Sequence, residues 1–125
     1  MILVDSSSWI HFLRPQGDAE VRARVARALT NGDACWCPLV RLEVWNGAGG
    51  DRDRKILREF EAVLPELAID DEVWSRAREL ARRSRSAGVS VPATDILIAA
   101  CARRHGAVLE SADSDFERLA AAVPI

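Results

Sequence analysis

The sequence has little cysteine and no long apolar segment. Its 125 residues include three cysteines, an odd number without finger-like spacing, which argues against a disulfide framework and against a structural zinc site. No apolar run approaches the roughly 20 residues that cross a bilayer. A secretory signal has a basic region before its apolar stretch, and the N-terminus lacks one. We therefore expect a cytoplasmic protein with buried thiols and no membrane contact.

An excess of positive charge, which is typical of nucleic-acid-binding domains, is also missing. The 17 basic residues are outnumbered by 19 acidic ones, so the formal net charge is −2. Lys55 is the only lysine, and the arginines are concentrated between residues 52 and 58 and between residues 76 and 85. Arginine suits phosphate recognition, but a genome's codon bias explains most of this preference more simply.

What the sequence does contain is an alternation of short apolar runs and amphipathic segments. The apolar runs predict strands at residues 1–4, 34–37, 67–69 and 107–109, with a short edge strand at 123–125. Apolar spacing and capping residues predict helices at 9–13, 18–31, 39–46, 51–63, 71–87, 93–105 and 117–121. This alternation predicts one α/β domain over residues 1–125, a three-layer α/β/α sandwich with a central parallel β-sheet.

Four acidic residues stand at comparable places in this alternation. Asp5 directly follows the first predicted strand, Glu43 lies in the helix after the second, Asp95 is in the first turn of a helix, and Asp113 follows the strand at 107–109. Because right-handed crossovers bring these ends to one edge of the sheet, we expect the four carboxylates to lie close together. The aspartates before or within a first helical turn also have a purely structural explanation, as N-terminal caps.

Carboxylates crowded at one edge would repel one another and raise each other's pKa values, a conflict that a divalent cation resolves. Mg²⁺ and Mn²⁺ prefer oxygen ligands and bind substrate phosphates. Such an ion activates water and stabilises charge on a phosphodiester under attack. Glu43 fits this interpretation, because its apolar neighbours make a charge there costly unless a cation is near. The pattern therefore predicts metal-dependent phosphodiester hydrolysis.

Four segments also carry a family resemblance. The sequence resembles a PIN domain, specifically the VapC-type toxins of bacterial toxin–antitoxin pairs, at residues 4–10 (VDSSSWI), 42–44 (LEV), 94–100 (TDILIAA) and 111–116 (SADSDF). The resemblance implies an endoribonuclease that depends on Mg²⁺ or Mn²⁺ and cuts RNA, often transfer or ribosomal RNA. It further implies homodimers and inhibition by a cognate VapB-type antitoxin protein.

The resemblance assigns roles residue by residue. It makes Asp5, Glu43, Asp95 and Asp113 the catalytic acids, of which Asp5, Asp95 and Asp113 are assigned to the metal. Supporting roles go to Ser6 and Ser111, whose hydroxyls stand where the family often has threonine and can orient a ligand or a water. Asp115 is also a supporting residue, which either acts through water or caps the last helix.

Alternative functions are compatible with parts of this pattern. A catalytically silent PIN-like module that binds RNA or protein would share the fold, but it has no need of four mutually repelling carboxylates. A phosphoaspartyl hydrolase would have a second aspartate two residues after Asp5, where this chain has Ser7. A response-regulator receiver would have a lysine after a late strand, and Lys55 does not provide it.

The tryptophans suggest two roles. Trp9, Trp36, Trp45 and Trp74 could stack on nucleic-acid bases. Their spacing within predicted helices and strands instead favours places in the core or on a partner surface.

Overall fold

The structure, a computed structural model that describes residues 1–124, is built from three strands and seven helices in those residues. In chain order the elements are β1 (Ile2–Val4), α1 (Ser6–Leu13), α2 (Ala19–Thr30), β2 (Ala34–Cys35), α3 (Pro38–Asn46), α4 (Asp51–Val63), α5 (Asp71–Ser86), α6 (Ala93–His105), β3 (Val108–Glu110) and α7 (Asp115–Ala122).

The sheet is parallel, and its strand order is β2-β1-β3. Leu3 lies opposite Cys35 on one side and Leu109 on the other. Leu3 and Val4 are fully buried, as expected of a central parallel strand that is covered by helices on both faces. The predicted three-layer α/β/α architecture is confirmed.

Aspartates at helix N-termini explain where several helices begin: α2 and α5 begin next to the predicted caps, whereas α1 begins at Ser6, three residues before the predicted start at residue 9. The carboxylates of Asp5, Asp18 and Asp70 accept backbone N–H groups two or three residues later, at 3.3, 3.0 and 2.9 Å. Each bond satisfies one of the amides that the first turn of a helix leaves without a partner. Asp5 is therefore a helix cap as well as the residue that follows β1.

One predicted strand, at residues 67–69, is wrong. The chain makes only an isolated parallel bridge there, between Trp36 and Glu66. The Leu67 N–H donates to the Trp36 carbonyl at 2.8 Å, but the next ladder bond would need an N–H from residue 38, which is Pro38, the first residue of α3. The Ala68 carbonyl accepts a hydrogen bond from His105 Nε2 at 2.8 Å instead, and Asp70 begins α5 at once.

Of two other predicted strands, one is shorter than predicted and one does not form in the described residues. The strand predicted at residues 34–37 ends at Cys35, because Cys37 is already the N-cap of α3 and Pro38 is its first residue. No edge strand forms at Val123 and Pro124, since the Val123 N–H bonds back to the Leu119 carbonyl at 2.9 Å and closes α7. The last residue of that prediction, at 125, lies outside the described residues.

An aromatic cluster fills the core beside α1, α4 and the end of β2. Trp9 lies 5.1 Å from Phe60 and 6.2 Å from Trp36, measured between ring centroids, and Phe12 packs at the margin. Trp9 and Trp36 are almost fully buried, which confirms the core interpretation for both, whereas Trp74 is 50% exposed. The three cysteines are buried free thiols, as predicted.

Among residues 1–124, no helix combines the length and the apolar character that crossing a membrane requires.

Candidate metal centre

The candidate site lies where the carboxyl ends of β1 and β3 meet the first turn of α6. Asp5 directly follows β1, and its N–H donates to the Glu110 carbonyl at 2.8 Å, which ties the two strand ends together. Asp95 is in the first turn of α6, as predicted. The loop that follows β3 carries Ser111 and Asp113 to the same edge.

Three aspartates form the tightest group in the described part of the chain. Asp95, Asp113 and Asp115 each place a carboxylate oxygen within 4.8 Å of the other two. The Oδ1 atom of Asp113 accepts the Asp115 N–H at 2.9 Å and so supports the start of α7. Asp115 does not cap that helix: it is the first helical residue, and its Oδ1 accepts from Arg118 at 3.0 Å.

Asp5 is buried, and two serine hydroxyls hold its carboxylate. Its Oδ2 atom accepts from Ser7 Oγ at 2.7 Å and from Ser111 Oγ at 3.1 Å, and the two hydroxyls are themselves 3.1 Å apart. The Asp113 N–H donates to Ser111 Oγ at 2.9 Å, so one short network orients Asp5 and anchors the Asp113 loop. The role predicted for Ser111, to orient a ligand or a water, stays a prediction.

Ser7, which was not among the predicted site residues, is the serine of this segment that holds Asp5; the role predicted for Ser6, to orient a ligand or a water, stays a prediction. The side chain of Ser6 instead acts on Glu43, where its hydroxyl partly offsets an increase in pKa. The order Asp-x-Ser at a helix start could have identified Ser7, because an N-cap carboxylate commonly reaches the residue two positions on. The bond from Ser7 to Ser111, 104 residues away, has no such local signal.

Glu43 carries an orphaned acceptor in this site. Its Oε1 atom is buried and has no hydrogen-bond partner within residues 1–124. Burial raises the pKa of Glu43, and the nearby charge of Asp5 raises it further. A buried carboxylate oxygen without a donor is costly, so this position favours a cation or a donor from a ligand.

Among the acids of this site, Asp95 has the most strongly raised pKa. Burial, its hydrogen bond with Asp115 and the charges of Asp113 and Asp5 raise the pKa of Asp95 to about 7. Without a cation, the folded protein therefore holds a proton on this group near neutral pH.

The residues present fit a hard divalent cation. The donors are carboxylate oxygens, the ligand type that Mg²⁺ and Mn²⁺ prefer, and their mutual repulsion is what a cation would relieve. Asp5 and Glu43 lie outside the 4.8 Å group of Asp95, Asp113 and Asp115, but the charge of Asp5 acts on both Asp95 and Glu43. The acids predicted from the sequence are thus neighbours, with Asp115 closer to the centre than expected.

Glu110 belongs to a separate structural network. Its Oε1 atom accepts from Arg24 at 2.6 Å and its Oε2 atom from Ser8 at 2.7 Å. These contacts join α2, α1 and the end of β3 behind the site, so they fix the strand ends that carry the acids.

The pH dependence of stability follows from the raised pKa of Asp95. Between the ordinary carboxyl value of 3.8 and about 7, the folded state binds more protons than the unfolded state, so stability falls as pH rises. We expect the metal-free protein to melt at a higher temperature at pH 5.5 than at pH 8, and Mn²⁺ to stabilise it more at pH 8, where no proton competes.

Thermal melts of the wild type and of Asp95→Asn, with and without Mn²⁺ at both pH values, check this expectation. Asp95→Asn removes the titrating group, so its metal-free melting temperature should vary less between the two pH values. An equal pH dependence in the two proteins would contradict the assignment.

A buried parallel sheet with clustered carboxylates at its carboxyl edge defines an α/β/α protein with an acidic site of the kind that binds a metal. The PIN domain family model matches residues 2–122. The chain therefore belongs to the PIN domain family, and the predicted resemblance to its VapC members is confirmed. The chain is 35% identical to "VapC ribonuclease Mb1587" of Mycobacterium bovis, over 96% of this chain and 92% of that protein. It is 33% identical to "Ribonuclease VapC18" of Mycobacterium tuberculosis, over 94% and 86%.

Solved structures show the same fold at lower identity. FitAcB from Neisseria gonorrhoeae superposes with a TM-score of 0.75 at 20% identity, over 95% of this chain and 93% of the other. VapBC2 from Rickettsia felis, bound to a DNA fragment from its promoter, superposes with a TM-score of 0.77 at 17% identity, over 94% and 92%. These similarities bear on the architecture alone.

Proposed function

We propose that this chain is a cytoplasmic endoribonuclease toxin that hydrolyses RNA phosphodiester bonds with Mg²⁺ or Mn²⁺ and is neutralised by a cognate VapB-type antitoxin. The observation that carries the proposal is the acidic site: Asp95, Asp113 and Asp115 place carboxylate oxygens within 4.8 Å of one another, and the buried Oε1 atom of Glu43 has no hydrogen-bond partner among residues 1–124. The similarity to curated VapC ribonucleases supports RNA as the substrate. We take residues 1–125 to act as one PIN domain.

Each side chain has a separate task in this proposal. Asp5, Asp95 and Asp113 would hold the ion, with Asp115 beside them, and the ion when bound would activate a water and stabilise charge on the phosphodiester. Ser7 and Ser111 hold Asp5 in place through its Oδ2 atom.

Glu43 is suited to accept a proton from the attacking water. Burial and the charge of Asp5 raise its pKa, which brings it closer to the neutral range where a general base is most effective. The buried Oε1 atom has no protein donor to satisfy it among residues 1–124, so it remains available for such a contact.

An antitoxin partner is supported by the similarity to curated VapC ribonucleases, because the VapC-type resemblance implies a VapB-type antitoxin. The acidic RNA backbone and a protein inhibitor would both have to reach the same edge of the sheet. Homodimerisation and transfer or ribosomal RNA as the target remain parts of the proposal, and light scattering of the purified protein tests the first.

The decisive experiment is incubation of total cellular RNA with purified, antitoxin-free protein in Mg²⁺, in Mn²⁺ and in EDTA, beside Asp5→Asn. We expect discrete fragments that require both metal and Asp5. Cleavage by a folded Asp5→Asn protein would rule out its metal role. Intact RNA throughout, from folded and metal-bound protein, would favour the catalytically silent PIN-like binding module.

Ser7→Ala should weaken the site without removing any carboxylate. The substitution deletes the 2.7 Å bond that orients Asp5, and loss of a partner behind a metal ligand typically costs about 10–100-fold in metal affinity or activity. Isothermal titration with Mn²⁺ and cleavage rates measure both effects.

Ser114→Ala provides a matched control, because that serine makes no side-chain capping bond at the start of α7. An equal loss in the two variants would contradict a specific role for Ser7.

A further inference from the structure

Arg103, near the end of α6, is a partly buried cation that the proposed chemistry does not use. Within residues 1–124 its guanidinium has neither an ion-pair nor a hydrogen-bond partner, and the same holds for Arg83 on α5. Burial lowers the pKa of Arg103, and the nearby charge of Arg83 lowers it further. By contrast, Arg82 pairs with Glu79 at 2.6 Å and Arg104 with Asp70 at 3.7 Å.

A groove connects Arg103 to the acidic cluster. It has a volume of about 770 Å³ and runs between α6, β3 and α7, with Ser111 and Asp113 among its lining residues. Asp95 lies in the first turn of the same helix, and Arg103 is about 12 Å further along the axis at 1.5 Å per residue. A single extended chain could therefore contact both places at once.

Two neighbouring guanidinium groups without acceptors favour an anion. Their mutual repulsion and the partial desolvation of Arg103 are both relieved by a phosphate, which accepts two parallel N–H bonds from one arginine fork; Arg83 is exposed. The net charge of the protein is −2, so its overall field does not attract RNA. Any phosphate contact must come from local positive charge of this kind.

We propose that Arg103, with Arg83 beside it, binds a backbone phosphate of the RNA strand a few nucleotides from the bond that lies at the acidic cluster. This inference rests on the proposed ribonuclease function. RNA is favoured over an acidic protein segment because the groove ends at the acidic cluster where the proposed reaction on RNA takes place; those carboxylates repel either anion unless a cation is bound there. The apolar wall formed by Ala99, Ala102 and Leu109 suits ribose and base surfaces between phosphates.

The test measures binding of a short fluorescein-labelled oligouridylate by anisotropy, in EDTA so that no metal-dependent hydrolysis occurs, over a series of KCl concentrations. Arg103→Gln and Arg83→Gln are compared with two controls whose arginines have partners, Arg82→Gln and Arg104→Gln. Each variant removes one positive charge from the same two helices, and thermal melts verify that all four are folded.

We expect Arg103→Gln to raise the Kd about tenfold and to reduce the salt slope by about 0.7, the value for one phosphate contact on a single strand. Arg83→Gln should act in the same direction with a smaller effect, and the controls should stay within about twofold of the wild type. Arg103→Lys should recover part of the affinity, because it restores the charge but not the fork.

Three results would overturn the inference. Arg103→Gln could match the controls, or all four variants could lose affinity equally, which would indicate a general electrostatic effect. Unchanged RNA binding with weaker binding of the purified cognate antitoxin would assign the groove to a protein. If the wild type cleaves RNA while Arg103→Gln behaves as a control, only this inference fails; if the wild type neither binds nor cleaves RNA, the proposed function fails with it.

Discussion

Asp95→Asn should reduce RNA cleavage by more than about 100-fold, since even the partners behind a metal ligand cost 10–100-fold when lost. The side chain keeps its shape and loses its charge. Because the pKa of Asp95 is about 7, the neutral amide imitates the protonated form that the metal-free fold already tolerates. The variant should therefore fold, and at pH 8 without metal it should melt at a higher temperature than the wild type.

Asp71→Asn is the matched control for this prediction. Asp71 is an exposed acid in the first turn of α5, just as Asp95 is in the first turn of α6. It should keep its cleavage rate and its affinity for Mn²⁺, measured by isothermal titration. Full activity in Asp95→Asn, or an equal loss in Asp71→Asn, would remove Asp95 from the reaction.

Trp36→Ala should destabilise the fold by about 3–5 kcal/mol, the usual cost of truncating a buried tryptophan. Trp36 is 1% exposed and packs edge-on against Trp9 and Phe60. Its removal opens a cavity beside β2 that rigid aromatic neighbours cannot fill. Unfolding in urea, followed by circular dichroism, measures the loss.

Trp74→Ala is the control, because Trp74 on α5 is half exposed. Its truncation should cost less than about 1 kcal/mol. If Trp36→Ala does not fold at all, Trp36→Phe should show a smaller loss in the same direction. A Trp36→Ala protein as stable as Trp74→Ala would contradict the core assignment.

Local sequence was sufficient to predict the features that depend on adjacent residues. A buried strand followed by Asp5 and a helix could be predicted because an apolar run and a capping carboxylate each act over a few residues. The place of Asp95 in the first turn of α6 could be predicted for the same reason. Repeated apolar runs between helices also indicated the α/β/α layers.

Features that depend on distant residues were missed or misjudged. The bond between Ser7 and Ser111 joins residues 104 positions apart, and the central place of Asp115 requires Asp95 from another helix. The predicted strand at 67–69 does not form because the neighbouring segment turns into α3 at Pro38, which has no N–H to continue the ladder. None of these partners lies near its counterpart in the sequence. Patterns of residue spacing within one helix or strand therefore cannot indicate these contacts.

The amino-acid sequence by itself determined the class of fold and the placement of four acids towards one edge of the sheet. Strand burial, helix capping and crossover handedness, on which both depend, follow from short-range chemistry. Only the tertiary structure decided how the acids share the site. In the tertiary structure, Asp5 accepts hydrogen bonds from two serines and Asp115 lies beside Asp95, while Glu43 Oε1 has no donor among residues 1–124. The reason is that desolvation and charge repulsion depend on distances in space, which packing determines and sequence spacing does not.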